Sequence, residues 1–395
     1  MGAQWLNRRA RSGVTAYAVL FVAFTATARA DDATGTWTGQ VEGVGNYYWE
    51  RSTRVVVPSF GAKLVAPNGV GVDVNYLVDV ISSASIAAGA SSDAVFTELR
   101  HGIGLGVGKE FETGNTPLDL RVHGTYSTED DYQSLSYGLS AALSLVERTT
   151  VLRLSLDRLN DDIESNANPM QHEQMDGIGV ATRWEQVLSR TLSLSTGYTL
   201  GYLNGFTGNI YRKANVGPLP FAEDHPPERW RHTADARLRW FIPASATAIH
   251  VMPRGYLDSW DILALNPELR VYQELGTPDV MLRLRYRFYA QTAAEFSPEK
   301  VSERLGVPEP ANGNYPQAYL DSTKNPASHV TGDPKMTAFQ THYAGIKFDF
   351  KLSFLDDSFL AFASPGWLYI NFDRIWNTTR YGNGIITQVG GILPF

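Results

Sequence analysis

The chain contains no cysteine among its 395 residues. Without thiols it cannot form disulfides or thiolate metal sites, attach a c-type haem, or carry a lipid on a lipobox cysteine. Beyond the first thirty residues no window holds eighteen consecutive apolar residues, so we expect no transmembrane helix in the mature chain. The eight histidines include no H-E-x-x-H spacing or other metal-ligand pattern. We therefore expect neither a bound metal nor a cofactor.

The first thirty residues have the pattern of a secretory signal peptide. Basic residues between 8 and 11 precede an apolar stretch at 14–26, and Ala28-Arg29-Ala30 forms an A-x-A cleavage site. An uncleaved anchor is the alternative. Cleavage after residue 30 removes four arginines and no acidic residue, which changes the formal charge from -7 to -11. A net-acidic exported protein is not built to bind nucleic acid.

Residues 280–291 show an alternation that recurs through most of the chain. Apolar side chains occupy the even positions, whereas Arg283, Arg285 and Arg287 share the opposite face. Three arginines cannot face a dry protein core without partners. An apolar face opposite a charged face is typical of a strand in an outer-membrane barrel, although a strand of a soluble sandwich also alternates.

Sixteen segments of this kind follow one another, separated by turn residues, and clear examples are 70–80, 134–145 and 337–354. Alternating segments of about ten residues predict the strands of an outer-membrane barrel. The content of 35 glycines and 12% aromatic residues agrees with this class. We predict an all-β protein, a transmembrane antiparallel up-and-down β-barrel of about sixteen strands, over residues 31–395 and located in a bacterial outer membrane.

The lengths of the connections test the barrel independently. If both chain ends lie in the periplasm, the even connections should be short turns and the odd ones can be long. We predict long extracellular loops near residues 82–95, 160–172, 204–228 and 293–336. The last loop would narrow a pore if folded inward, or form a surface loop if directed outward. The connection 355–365 is an exception, because it should be a periplasmic turn but is long and apolar.

The chain ends in Pro394-Phe395. A terminal aromatic residue resembles the signal that the outer-membrane assembly machinery reads, so we expect this machinery and outer-membrane lipid as partners. The neighbouring proline departs from the usual form of that signal.

Several stretches resemble a bacterial family of predicted outer-membrane barrels that is catalogued as a domain of unknown function. The more specific stretches are Ile81-Ser82-Ser83-Ala84-Ser85 and Arg285-Tyr286-Arg287-Phe288-Tyr289, and further ones lie at 97–101, 129–132 and 256–262. The resemblance implies export and a barrel, with no established activity. Family members are often encoded near small lipoproteins and flavin-attachment enzymes, which implies a periplasmic or lipoprotein partner in a redox assembly. The final Gly-Ile-Leu-Pro-Phe departs from the aromatic-acid-Phe ending expected of the family.

Charged residues concentrate on the strand face that is predicted to line the lumen. The predicted basic wall, from the tenth, twelfth and thirteenth strands, consists of Arg229, Arg231, Arg237, Arg239, Arg270, Arg283, Arg285 and Arg287. The predicted acidic side consists of Asp73, Asp79, Asp119, Asp349 and Asp373. Three further acidic residues, Asp235, Glu268 and Glu274, lie within the basic wall.

Two functions fit such a lumen. Charges of opposite sign facing each other across an aqueous pore would orient polar solutes and pass small anionic or zwitterionic ones. Alternatively, pairs of arginine and carboxylate would stiffen a non-conducting scaffold for a lipoprotein or redox partner. We expect no enzyme, because His123 has its nearest candidates, Ser127 and Asp119, four residues away and thus ~13 Å along the strand, too far for a relay.

Two other patterns have ordinary structural explanations. The acidic run Glu129-Asp130-Asp131 can bind Ca²⁺, but such runs are common in surface turns. Glycine occupies every even position from 102 to 108, alternating with apolar residues. This pattern predicts a strand with a thin inner wall, which leaves room for a loop or for large side chains.

Overall fold

The structure is a computed structural model that describes residues 36–51, 53–84, 95–112, 116–166, 168, 170–322, 325–326, 328–379 and 382–395. The predicted signal peptide and most of the predicted loop at 82–95 lie outside the described residues. The chain forms a closed antiparallel barrel of sixteen strands, which confirms the predicted fold class. The barrel closes where β1 (Thr38–Glu50) pairs with both β2 (Thr53–Val65) and the last strand.

The strands follow one another around the wall in chain order. After β2 come β3 (Val70–Ala84), β4 (Val95–Phe111), β5 (Leu118–Thr128), β6 (Tyr132–Leu145), β7 (Thr150–Glu164), β8 (His172–Val187) and β9 (Leu192–Gly205). A separate two-stranded sheet, β10 (Lys213–Val216) and β11 (Leu219–Ala222), precedes β12 (Glu228–Ile242). The wall ends with β13 (Thr247–Met252), β14 (Arg254–Asp258), β15 (Leu263–Leu265), β16 (Glu268–Leu275), β17 (Thr277–Gln291), β18 (Phe339–Lys351), β19 (Trp367–Asn377) and β20 (Gly384–Pro394).

Proline interrupts two strands of the wall. Pro253 separates β13 from β14, and Pro267 lies between β15 and β16. Proline cannot donate a ladder hydrogen bond, so regular pairing stops at these points. Because β13 and β14 both pair with β12, and β15 and β16 both pair with β17, each interrupted pair counts as one barrel strand.

The outer surface of the barrel is apolar. On β17, Leu284 and Tyr286 are 47% and 48% exposed, and the intervening arginines face the lumen. On β12, Trp230 and Trp240 are similarly exposed near the two ends of the strand. A belt of exposed aliphatic side chains flanked by aromatic ones needs lipid to cover it. The protein is therefore located in a bacterial outer membrane.

Two segments fold together at the end of the barrel that carries the long loops. Residues 206–227 include β10 and β11, and residues 292–338 include the short helices α1 (Pro298–Arg304) and α2 (Gln317–Leu320). We call these two segments the cap. Long loops of outer-membrane barrels face the cell exterior, so the cap lies on the extracellular side. No helix among the described residues is long and apolar enough to cross a membrane.

The cap has small hydrophobic cores of its own. Ala214 and Val216 of the first segment pack against Val301 and Val330 of the second, and all four are buried. A second cluster at the rim of the barrel contains Trp260, Ile262, Ala294 and Phe296. The long loop predicted at 293–336 is thus a folded element that is held against the first segment.

The buried carboxylate of Glu223 ties the two cap segments together. Its Oε1 accepts hydrogen bonds from the Thr331 hydroxyl at 2.6 Å and from the Gly332 backbone amide at 2.9 Å. His225 Nε2 lies 3.4 Å from the same oxygen, and Arg212 Nη1 lies 3.4 Å from Oε2. Burial alone would raise the pKa of Glu223, but these contacts outweigh it and lower the pKa to about 2.

At the opposite, periplasmic end, mainly short turns connect the strands. The connection between β18 and β19 is longer and contains two 3₁₀ turns, Ser353–Leu355 and Ala361–Ala363. Three phenylalanines of this connection are strongly exposed: Phe354 at 75%, Phe359 at 92% and Phe362 at 52%.

Candidate functional site

The arginines predicted to line the lumen lie on β12, β16 and β17. These strands are close neighbours in the sheet, with β13 between β12 and β16. One row of the sheet holds three arginines and a histidine in register: Arg239, His250, Arg270 and Arg285. Positive charge is therefore concentrated on about a quarter of the wall.

Three of the eight arginines have a carboxylate partner. The pairs are Arg229–Asp258, Arg270–Glu268 and Arg285–Asp373. Asp258 and Asp373 are only 8% and 2% exposed, so water screens these two pairs little. Arg229 also stacks on Trp260, with Cζ 3.9 Å from the centre of the ring.

The other five arginines lack a carboxylate within 4.0 Å among the described residues. They are Arg231, Arg237, Arg239, Arg283 and Arg287. Arg283 donates a 2.7 Å hydrogen bond to the neutral side chain of Asn371, and Arg287 stacks 3.8 Å above the Tyr343 ring. Neither contact neutralises the positive charge.

Most of the predicted acidic residues, in contrast, are paired with a cation. The pairs are Asp73–Arg121, Asp79–Arg100, Asp349–Lys347 and the Asp373–Arg285 pair already described. Within the basic wall, Asp235 lies 3.0 Å from Arg183. Asp119 and Glu274 have no cation within 4.0 Å in the described part of the chain. Among the residues singled out by sequence, the unpaired charge is therefore mainly positive.

Four lumen pairs cross a strand at a glycine. In each case the two partners lie on the strands flanking the glycine, and a Cβ added to it would press against one or both of them. The combinations are Asp73–Arg121 over Gly106, His123–Asp157 over Gly138, Arg183–Asp235 over Gly197 and Arg285–Asp373 over Gly345. The room that the glycines at 102–108 were predicted to leave is occupied by such side chains from neighbouring strands.

His123 does not belong to a catalytic relay. Its Nε2 lies 2.8 Å from Asp157 Oδ1, and the hydroxyl of Ser155 donates a 2.8 Å hydrogen bond to the other oxygen of Asp157. A nucleophile relay requires the serine to contact the histidine, whereas here both contact the carboxylate. The expectation that the protein is not an enzyme stays a prediction.

A cavity of about 710 Å³ lies in the extracellular half of the lumen. Its lining includes Glu50 of β1 and Arg287 of β17 from the barrel wall, and Asn209 and Lys335 from the two segments of the cap. A volume of this size accommodates a small organic molecule. The cap thus contributes side chains to the lumen as well as to its own cores.

Three carboxylates meet at the extracellular rim beside this cavity. Oxygen atoms of Glu98, Glu129 and Asp131 all lie within 4.8 Å of one another. Glu129 belongs to the turn between β5 and β6, where burial and the charge of Glu98 raise its pKa to about 7. The sequence showed two members of this cluster as an acidic run, but could not show that Glu98 joins them.

Several lumen residues escaped the sequence prediction, among them Arg183, Asp157 and Asp258. Each is charged and lies in a segment of regular alternation, but its partner is on a strand one or two positions away in the sheet. Glu50 also escaped the prediction, and its hydrogen-bond donor is Tyr48 on the same strand. Alternation identifies which face a residue occupies, and only the strand register identifies its neighbours. One sequence pattern could have identified several of these pairs: a glycine on one strand with charged residues on the strands before and after it.

The chain is similar to one protein family and to several solved structures. The family model described as "Protein of unknown function (DUF3570)" matches residues 84–358. No curated protein matches the chain. OprD of Pseudomonas aeruginosa is similar with a TM-score of 0.41 and 9% identity, covering 92% of this chain and 99% of its own. CdiB from Acinetobacter baumannii is similar with a TM-score of 0.48 and 8% identity, covering 90% of this chain and 60% of its own.

Proposed function

For this chain, which belongs to the DUF3570 family of proteins of unknown function, we propose a role as an outer-membrane channel for small polar solutes with a preference for anions. One observation carries the proposal. Among the described residues, five of the eight arginines on the basic wall have no carboxylate partner, whereas four of the five aspartates on the acidic side are paired. The basic wall therefore keeps positive charge that mobile anions can neutralise.

The physical reason lies in the geometry of the lumen. Charges that line a narrow aqueous passage with low-dielectric walls raise the local concentration of the opposite ion. Arg237 and Arg239 are adjacent on the lumen face of β12, and their charges are close to Arg270. Three arginines so near one another favour anions passing along this side of the lumen. Because salt screens such charges, the preference should weaken as ionic strength rises.

Ion selectivity in planar bilayers tests the proposal. We expect the wild-type protein to give channels whose reversal potential in a KCl gradient favours chloride. The double variant Arg237→Gln/Arg239→Gln should shift that potential toward the cation value. The matched control is Arg148→Gln/Arg190→Gln, which removes two exposed arginines from short turns and should cause no shift. A barrel that never conducts, or a lumen variant that behaves like the control, would overturn the proposal.

A second candidate is a non-conducting scaffold for a lipoprotein or redox partner. The observation in its favour is the periplasmic connection that exposes Phe354, Phe359 and Phe362, since an apolar surface of this kind can receive a partner. The ion pairs that cross the glycines would then serve to stiffen the wall. The same bilayer recordings separate the two candidates, because the scaffold predicts intact barrels without conductance at any salt concentration.

A further inference from the structure

Two opposite charges face the same cavity from the two ends of a single row of the sheet. Arg287 of β17 pairs in register with Tyr343, which pairs with Ile375, then Gly384, and finally with Glu50 of β1. Neighbouring strands lie about 4.8 Å apart, so these two residues are separated by roughly 19 Å along the wall. Their long side chains reach into the lumen from both ends of this arc.

Among the described residues, neither charge has a counter-charge within 4.0 Å. Glu50 is only 8% exposed and accepts a 2.5 Å hydrogen bond from the Tyr48 hydroxyl, but no cation lies within 4.0 Å of it among the described residues. Arg287 stacks on the Tyr343 ring, and its Nε is buried without a hydrogen-bond acceptor. Burying an ionised group without a partner is costly. Two such groups on one cavity point to a ligand that supplies both missing charges.

The cap adds a further positive charge on the Arg287 side. Lys335 lines the cavity, and its backbone carbonyl accepts a 2.7 Å hydrogen bond from the Gln291 side chain at the end of β17. Its ammonium group has no carboxylate within 4.0 Å in the part of the chain that the structure describes. The cavity therefore has a basic side at β17 and the cap, and an acidic side with Glu50 at the end of β1 and Glu98 on β4. Glu98 belongs to the carboxylate cluster at the rim, so Glu50 is the acidic position that stands alone.

We propose that this cavity is a binding site for small zwitterionic solutes. The carboxylate of the solute is held by Arg287, with Lys335 beside it, and the ammonium group by Glu50. A planar guanidinium donates two parallel hydrogen bonds to a carboxylate, which makes Arg287 the orienting contact. A simple anion would satisfy Arg287 and leave Glu50 unpaired, and a simple cation would do the reverse.

The site assigns small zwitterionic solutes as the substrate class of the proposed channel. Its role in transport therefore rests on the proposed function. The basic wall at Arg237 and Arg239 governs which small ions pass. The cavity under the cap selects the solutes that reach this wall from outside. Binding can be measured without transport, so the two proposals can fail separately.

Calorimetric titration of the full-length barrel in detergent tests the site. The probes are 4-aminobutyrate and 6-aminohexanoate, with hexanoate and hexylammonium as singly charged controls. Each charged hydrogen bond contributes enough that losing one should weaken binding about 10- to 100-fold. We therefore expect saturable binding of one or both amino acids, and much weaker binding of the two controls. The better amino acid reports the distance between the two charges.

Two variants and one control assign the contacts. Glu50→Gln should make 6-aminohexanoate bind no better than hexanoate, and Arg287→Gln should make it bind no better than hexylammonium. Arg190→Gln removes an exposed arginine from a short turn outside the cavity lining and should leave all four affinities unchanged. The heat-induced mobility shift on gels confirms that each variant is a folded barrel.

The outcomes separate the site from the channel. Equal binding of the zwitterion and hexanoate by the wild-type protein, or no response to Glu50→Gln, would refute the site even if the barrel conducts anions. Selective zwitterion binding by a barrel that does not conduct would keep the site and remove the channel. Loss of zwitterion binding in Arg190→Gln would place the contact elsewhere and also overturn the assignment.

Discussion

Arg285 meets Asp373 across strand β18, with Nη2 of the arginine 3.0 Å from Oδ1 of the aspartate. Gly345 lies between them in register, and a Cβ at this position would overlap the carboxylate. The ion pair therefore exists because the middle strand has no side chain there. The same relation holds at Gly106, Gly138 and Gly197. It lets residues on strands that are not neighbours form direct contacts inside the barrel.

Substitution of Gly345 by alanine should separate Arg285 from Asp373. Asp373 is 2% exposed, so the displaced carboxylate would stay buried near an arginine that it can no longer reach. Breaking a buried pair in this way costs about 3–5 kcal/mol. We expect a clear fall in the thermal midpoint of the barrel in detergent, measured by the heat-induced mobility shift.

Gly179→Ala is the matched control for that experiment. Gly179 also faces the lumen from a barrel strand, but a Cβ there would lie 3.6 Å from Asp157, an ordinary contact. We expect its thermal midpoint to stay close to that of the wild-type protein. If Gly345→Ala and Gly179→Ala lower the thermal midpoint equally, the loss of stability comes from a general effect on the strand and not from the ion pair that crosses it.

The architecture could be predicted from sequence because its cause is local. Alternation over segments such as 280–291 reports which side chains meet lipid and which meet the lumen, without knowledge of neighbouring strands. The count of sixteen strands followed from these segments and their turns. Proline at 253 and 267 breaks two strands, a detail that alternation alone does not locate.

The pairing of the lumen charges could not be predicted in the same way. Asp373 was grouped with an acidic side opposite the arginines, but it is the partner of Arg285 two strands away. Likewise, the sequence places only Ser127 and Asp119 near His123, on the same strand, whereas the contact of His123 is Asp157 on β7. Register between strands is set by turns and packing along the whole wall, so single-strand patterns do not contain it.

The cap should loosen in acid because of Glu223. Its pKa of about 2 lies below the ordinary value near 4.5. The stabilisation of the cap by ionised Glu223 is therefore complete above pH 4.5 and is lost as the pH falls toward 2. The total effect is on the order of 3 kcal/mol. Hydrogen exchange of peptides from the cap, corrected for intrinsic rates, should show less protection at pH 3 than at pH 7.

Two glutamine variants distinguish Glu223 from general acid effects on the cap. Glu223→Gln should lower protection at pH 7 and reduce the difference between the two pH values. Glu299→Gln, which changes an exposed residue of α1, should behave as the wild-type protein. An unchanged pH response in Glu223→Gln would show that another group controls the cap.

The turn residue Glu129 should have the opposite pH dependence. Burial and the neighbouring Glu98 raise its pKa to about 7, above the value near 4.5 of a free glutamate. The folded state therefore holds a proton that the unfolded state releases, and stability falls as the pH rises from about 4.5 through 7. Glu129→Gln should raise the thermal midpoint by a few degrees at pH 8 and by much less at pH 5. Asp130→Asn, an exposed neighbour, is the control, and an equal gain at both pH values would contradict the assignment.

Removing most of the second cap segment should widen the path into the lumen. Strands β17 and β18 are paired up to Gln291 and Phe339, so a short Gly-Ser linker in place of residues 297–333 can join their ends without disturbing the wall. The deletion removes Val301 and Val330 and with them the core that holds the cap together. We expect a higher single-channel conductance with retained anion preference, since Arg237 and Arg239 are unchanged.

A deletion at the opposite end provides the comparison for that variant. Replacing residues 354–364 by a short linker removes the three exposed phenylalanines of the periplasmic connection and should leave conductance unaltered. If the cap deletion also has no effect, the cap lies beside the permeation path and contributes only to the binding cavity. If conductance rises and anion preference disappears, selectivity resides in the cap rather than in the arginines of β12. If the arginines of the basic wall set the selectivity, conductance rises in the cap deletion and the reversal potential keeps its sign.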